Sequence, residues 1–269
     1  MAYELLVLDV DGTLVNSQKE ISEATKEAIL ECQENGIKVA IASGRCTEGI
    51  RHQAKAIGLD QYGGYVISYN GGQITDFRTG EVIYDIPLPK GMIYEIVDYG
   101  RQHGTGFLTY SGGQIIAHSD TDPYIVVDAK GCDIPIYVPE DFSQMKEPFN
   151  KCILTGEPEL LAELEQEAAK DFQGRLSVYR SEGFYLEMMP PGVDKAYGIA
   201  ALLGKLGISR RQVIGCGDGF NDIPMIRYAG LGVAMGNASE EVKQQADYVA
   251  PSCDEDGLID VIGRFVKDW

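Results

Sequence analysis

Asp9 and Asp11 stand two residues apart at the end of an apolar run, LLVLDVDGTLVNS (Leu5–Ser17), and the chain breaks at once into Gly12 and Thr13. A strand that only had to be buried gains nothing from two carboxylates at its end. Unpaired buried carboxylates are costly, so something must neutralise them. Three further polar clusters also follow apolar runs: Ser43-Gly44-Arg45, Asn70-Gly71-Gly72, and Gly217-Asp218-Gly219-Phe220-Asn221-Asp222. Lys195 precedes the helical stretch that leads into the last of them. Four aspartates of this kind supply hard oxygen ligands of the sort Mg2+ takes. A pair of carboxylates in unlike environments can also divide the work of proton donor and ionised partner.

Each cluster alone reads as an ordinary turn, because Gly and Asp favour turns. Their shared position carries more weight, since ligands of open α/β sheets bind outside the carboxyl ends of the strands. The pattern predicts such a sheet. Glu4–Asp9 is an apolar run too short for a helix. Ser22 caps an amphipathic stretch with Ala24, Ala28, Ile29 and Cys32 at helical spacing, closed by Gly36. IKVAIA (Ile37–Ala42) is a continuous apolar strand suited to burial on both faces. A helix over about 46–57 and the strand YVISY (Tyr65–Tyr69) complete a βαβαβ rhythm, the mark of a doubly wound, Rossmann-like parallel sheet. After residue 195 the rhythm resumes: a helix over 196–206, the strand QVIGC, a helix over 222–228, the strand GLGVAM and helices near 239–245 and 258–266.

The middle of the chain reads differently. A hairpin turning at Arg78–Gly80 leaves through Pro87 and Pro89, and a helix over 91–103 follows. Next come the strands GFLTY and GQIIAH, a Pro-rich stretch to Pro148, the strand KCILTG, a helix over 159–171, and the strands LSVYR and FYLEMM. Strands joined by short turns predict an inserted α+β domain over 88–188, with the core split into 1–87 and 189–269 and the proline pairs as linkers.

A chain of 269 residues, 44% hydrophobic and 24% charged, has an ordinary globular composition and can bury a sizeable core. A net charge of −18 argues against nucleic acid or an anionic membrane as the main partner. It leaves room for an anionic small molecule, because a local cation or helix N-terminus can reverse the field within one pocket. Six scattered cysteines (Cys32, Cys46, Cys132, Cys152, Cys216, Cys253) lack a CxxC pair and read as reduced thiols. No signal-peptide pattern is visible, and no apolar run approaches the roughly 20 residues of a membrane span. The expectation is a soluble, cytoplasmic protein, monomer or homodimer.

The motifs DVDGTL, ASGR, the lysine in GVDKAYG, and GDGFND resemble, in order, the four motifs of the haloacid-dehalogenase-like phosphohydrolases. The inserted middle and the closing GVAMGNA resemble the Cof-type sugar-phosphate phosphatase branch, which carries a large α+β cap. The resemblance spans the chain. It implies that Asp9 is a nucleophile forming an aspartyl-phosphate. Asp11 would then be the general acid and, afterwards, the base that activates water. It places Mg2+ on the Asp9 carboxylate, the Asp11 backbone carbonyl and the Asp218 carboxylate, with Asp222 a ligand through water or an anchor behind the metal. Ser43 would donate to a phosphoryl oxygen and Lys195 offset charge on the phosphate and Asp9. The N–H groups around Gly12 would form an anion nest, and Gly44, Arg45 and Asn221 would help hold the phosphate.

Plainer roles exist for several of these residues. Ser43 fits a helix N-cap, Arg45 a solvated helix start, and Cys216 a buried strand thiol. His52, His103 and His118 have no partner spacing for a metal or triad, and Tyr110, Tyr124, Tyr179 and Tyr185 fit packing as well as a substrate pocket. The implied activity is Mg2+-dependent hydrolysis of small-molecule phosphate esters such as sugar phosphates, nucleotides or cofactor phosphates. A phosphotransferase or phosphomutase of the same fold and a non-catalytic phospho-ligand sensor stand as alternatives. A dehalogenase would leave Asp11 superfluous.

Overall fold

The four residues of β1 (Leu5–Leu8) are all buried and pair in parallel with neighbours on both sides, which is why the run is apolar without alternation. The computed structural model describes residues 3–142, 145–146 and 148–266. Two compact units divide the chain: Met1–Tyr84 with Asp194–Trp269, and Asp85–Val193.

The first unit continues from β1 into α1 (Glu23–Glu34), β2 (Lys38–Ala42), α2 (Arg51–Ala56), α3 (Leu59–Tyr62), β3 (Tyr65–Ser68), β4 (Gln73–Asp76) and β5 (Val82–Asp85). The second unit holds α4 (Met92–Gln102), β6 (Gly106–Ser111), β7 (Gln114–Ala117), α5 (Pro123–Cys132), β8 (Ile136–Tyr137), β9 (Cys152–Thr155), α6 (Pro158–Asp171), β10 (Ser177–Glu182) and β11 (Tyr185–Met189). The first unit then resumes with α7 (Lys195–Leu206), β12 (Val213–Gly217), α8 (Ile223–Tyr228), β13 (Leu231–Ala234), α9 (Glu240–Lys243), β14 (Tyr248–Val249) and α10 (Gly257–Val261).

The sheet of the first unit runs β14-β13-β12-β1-β2-β3-β4-β5. It is parallel from β14 to β3, and β4 turns back antiparallel on β3. Alternate residues feed two cores. Leu6, Leu8, Val39, Ile41, Ile214 and Val233 pack under α1 and α10, while Leu5, Val7, Ala40, Ala42 and Val213 pack under α7 and α8. The chain winds outward from β1 to β3 and later from β12 to β14, so the strand order reverses between β1 and β12. That is the topological switch point, where such sheets open a crevice for ligands.

The second unit is a sheet ordered β10-β11-β9-β6-β7-β8, antiparallel except for β7 with β8. α4 and α6 cover one face through Ile93, Ile96, Val97, Leu161 and Leu164. α5 is tied to the opposite side by hydrogen bonds from the Tyr110 hydroxyl to Asp128 (2.8 Å) and from the Tyr185 hydroxyl to the Tyr124 carbonyl (2.7 Å). Tyr124 stacks on Phe184, and Tyr179 donates to Glu187, itself paired with buried Lys151 at 3.1 Å.

Two readings of the sequence need correction. The stretch before Pro148 is not merely Pro-rich: it contains α5, started by Asp122, whose carboxylate accepts from the Tyr124 and Ile125 N–H groups, with Pro123 in the first turn. Residues 143, 144 and 147 of that stretch lie outside the described residues. In α1 the buried stripe uses Thr25 where the spacing suggested Ala24. The two-residue edge strand β14 was too short to show as a pattern. Among the described residues no helix is long and apolar enough to cross a membrane.

Candidate active site

β1 and β12 are adjacent and parallel, with Leu8 opposite Cys216 and the Asp9 N–H donating to the Cys216 carbonyl at 3.0 Å. The turns that follow them therefore emerge side by side. Asp9, Asp218 and Asp222 each bring a carboxylate oxygen within 4.8 Å of the others. Lys195, the first residue of α7, reaches into this group: its Nζ lies 2.5 Å from Oδ1 of Asp9 and 2.5 Å from Oδ1 of Asp222. The Lys195 and Asp222 side chains have no solvent exposure. The other Asp222 oxygen accepts from the backbone N–H groups of Asp218 (3.0 Å) and Gly219 (2.9 Å), so this carboxylate clamps its own loop.

Asp218 is held by the turns after β1 and β13. The Thr13 hydroxyl donates to Oδ1 at 3.2 Å, and the Asn237 amide donates to Oδ2 at 3.0 Å and to the Gly12 carbonyl at 2.9 Å. Gly12 has φ +77°, and a Cβ there would stand 2.2 Å from Oδ2 of Asp218. Only glycine allows this approach.

Asp11 goes elsewhere. Its carboxylate is gripped by Arg45, whose Nε and second guanidinium nitrogen reach Oδ2 and Oδ1 at 3.0 and 2.7 Å, and by Lys19 at 2.8 Å. Its side chain is thus outside the three-carboxylate cluster, and the resemblance assigns only its backbone carbonyl to a metal. Ser43 is buried, and its hydroxyl accepts from the Arg45 N–H at 3.2 Å. Gly44 packs against the Asn70 amide, and Asn70 Oδ1 accepts from Asn221 at 3.2 Å. The structure thus joins Ser43, Gly44, Arg45 and Asn221 through the turn after β3.

Burial and charge together explain the pKa shifts. Burial, then the Asp222 charge, raises Asp9 well above the usual carboxylate range despite Lys195. Burial opposes the Lys195 ammonium, yet Asp222 and Asp9 outweigh it and push its pKa up. Asp218 is pushed up to about 6 by burial and then by Asp222. Burial would also raise Asp11, but Arg45 and then Lys19 hold it below its ordinary value. Three carboxylates against one ammonium leave an excess of negative charge in a poorly solvated place. All are hard oxygen donors, so the residues present fit a small divalent cation.

Sequence reasoning passed over Thr13, Lys19 and Asn237 as contacts of the two aspartates. Asn237 lies in GVAMGNA, where its only signal was the resemblance of that segment. The thiol of Cys216 is buried, and burial pushes its pKa upward, as suits a strand residue and not a nucleophile.

Fold and site together define an α/β protein with a buried acidic centre at the switch point of its sheet. The chain belongs to the haloacid dehalogenase-like hydrolases, whose family model matches residues 6–262. A crystal structure of such a hydrolase from Bacteroides thetaiotaomicron superposes with a TM-score of 0.93 at 41% identity, covering 97% of this chain and 99% of that one. A subclass IIB sugar phosphatase of the same superfamily superposes with a TM-score of 0.80 at 25% identity, over 97% of this chain and 98% of that one. A 5-amino-6-(5-phospho-D-ribitylamino)uracil phosphatase of Bacillus subtilis (strain 168) is 29% identical over 263 residues, 98% of this chain and 96% of its own length.

Proposed function

We propose that this hydrolase is a Mg2+-dependent phosphatase of small-molecule phosphate monoesters that works through phosphorylated Asp9. The observation that carries the reading is the convergence of Asp9, Asp218 and Asp222 around the Lys195 ammonium. An Asp9 oxygen attacks phosphorus and the ester oxygen leaves, taking a proton from Asp11. Asp11 then accepts a proton from water, which attacks phosphorus, releases inorganic phosphate and restores the Asp9 carboxylate.

Mg2+ would be held by the carboxylates of Asp9 and Asp218 and the Asp11 carbonyl, and would neutralise charge on the transferring phosphoryl group. Lys195 orients Asp9 and offsets its charge, while Asp222 fixes Lys195 and the Asp218 loop. Ser43, Asn221, Arg45 and the N–H groups at Gly12 and Gly44 hold phosphoryl oxygens. The relatives described above act on a sugar phosphate and on a phosphorylated ribityl compound, which supports a small organic phosphate here. We assign the choice of leaving group to the inserted unit, and the reduced-thiol composition supports a cytoplasmic setting.

Purified protein should release phosphate from p-nitrophenyl phosphate with Mg2+ and stop in EDTA. Asp9→Asn should abolish turnover with the fold intact. Turnover surviving that substitution would refute the assignment of the nucleophile.

A further inference from the structure

The turn after β3 carries backbone strain that the proposed chemistry does not use. Tyr69 and Asn70 are consecutive residues with left-handed φ of 52° and 50°, and neither is glycine. Asparagine tolerates that region, but tyrosine does so at a cost, and strain of this kind persists only where surrounding contacts enforce it.

Those contacts run to three separate parts of the site. The Tyr69 N–H donates to the Arg45 carbonyl at 3.0 Å, and the Asn70 N–H to the Ser43 carbonyl at 2.8 Å. The Asn70 side chain is buried; its Oδ1 accepts from Asn221 at 3.2 Å, and its amide packs where a Cβ on Gly44 would come within 3.1 Å. Gly71, at φ +104°, passes so close to Asp194 that a Cβ would lie 2.1 Å from the Asp194 carbonyl oxygen. Asp194 caps the helix whose first residue is Lys195.

We propose that Asn70 is a positioning residue: its strained turn sets the spacing of the Ser43 loop, the Lys195 helix start and Asn221, and its amide orients the Asn221 side chain toward bound phosphate. This rests on the phosphatase reading. Asn221 is itself exposed, so without its hydrogen bond to Asn70 its amide has more freedom to turn. A phosphate cradle built from three loops loses much of its effect when one shifts by an ångström.

Asn70→Gly isolates the amide, because glycine keeps the left-handed backbone. The expected result is a loss in kcat/KM on p-nitrophenyl phosphate on the order of 10- to 100-fold. Calorimetry should show inorganic phosphate binding more weakly in the presence of Mg2+, with the melting midpoint near wild type. Asn221→Ala should lose a similar amount, and the double variant about as much as the larger single loss, because both substitutions remove one shared interaction. Wild-type kinetics within about twofold, or single losses that multiply in the double variant, would overturn the proposal. A failure of Asn70→Gly to fold would overturn it too, since the amide would then be structural. Phosphate binding reads Asn70 even without turnover, so the failure of this idea and the failure of the phosphatase reading give different results.

Discussion

The Lys195 ammonium lies 2.5 Å from Oδ1 of Asp222, and both side chains are wholly buried. Their position, 27 residues apart in sequence, ties the start of α7 to the loop after β12. Asp9 shares the same ammonium, so one lysine serves two carboxylates in a place where none of the three charges is well solvated.

Lys195→Met should therefore destabilise as well as inactivate. It leaves two buried carboxylates facing each other without a counter-charge, a change that costs about 3–5 kcal/mol when one partner of a buried pair is removed. Urea unfolding at pH 7 checks the magnitude. A deficit below about 1 kcal/mol, the range of an exposed pair, would show that Lys195 is not holding them together.

Gly12→Ala tests the close approach of the two aspartate loops. A left-handed alanine costs about 1–2 kcal/mol from its backbone alone. The added methyl also collides with the Asp218 carboxylate, 2.2 Å from its Oδ2. Activity should fall further than stability, because relief of the clash moves Asp218. Wild-type turnover in this variant would show that Asp218 need not stay where it is.

Asp218 gives a metal-dependent pH signature. Its folded pKa, about 6, stands above the ordinary 3.8, because burial and Asp222 disfavour its charge. Between these values the folded state keeps a proton that the unfolded state has lost. Its contribution to stability therefore falls as pH rises through that window. Melting in EDTA should show wild type losing ground to Asp218→Asn from pH 4 to 6. With Mg2+ the order should reverse above pH 6, because a cation that binds the deprotonated folded site stabilises it. The same pH course with and without Mg2+ would argue that Asp218 does not meet the metal.

Much of this arrangement was legible in the chain because strands buried on both faces leave continuous apolar runs. β1, β2 and β12 show them, and the turn residues after each stand out by contrast. α5 was not legible: Tyr124, Ile125, Val126 and Val127 carry strand propensity, and Asp122 and Pro123 signal a helix only once both are read as its cap and first turn. The carboxylate cluster follows from strand adjacency, yet the direction taken by Asp11 does not. That depends on Arg45, 34 residues away, and on Lys19, which sits in a tight turn at φ 64°. Side-chain pairings between loops are set by the folded positions of those loops, which periodicity does not encode.

The grip of Arg45 on Asp11 yields the most discriminating pH test. A general acid must carry its proton when the leaving group departs, so the alkaline limb of the kcat/KM profile reports its pKa in the free enzyme. Arg45 and Lys19 favour the ionised form and hold that pKa down. Arg45→Met removes the larger of the two influences, so the pKa should rise and the alkaline limb move to higher pH. The substrate should be an alkyl phosphate, whose alkoxide needs the proton; p-nitrophenolate leaves readily without one. Arg45→Lys keeps the charge but loses the two-point grip, and should fall between. The stability profile carries the opposite sign to that of Asp218. A depressed folded pKa contributes stability above 3.8, the ordinary value, that is lost as pH falls through the lower folded value. The deficit of Arg45→Met should accordingly be present at neutral pH and fade in acid. If neither the alkaline limb nor the acid fading responds to Arg45, the guanidinium does not govern Asp11.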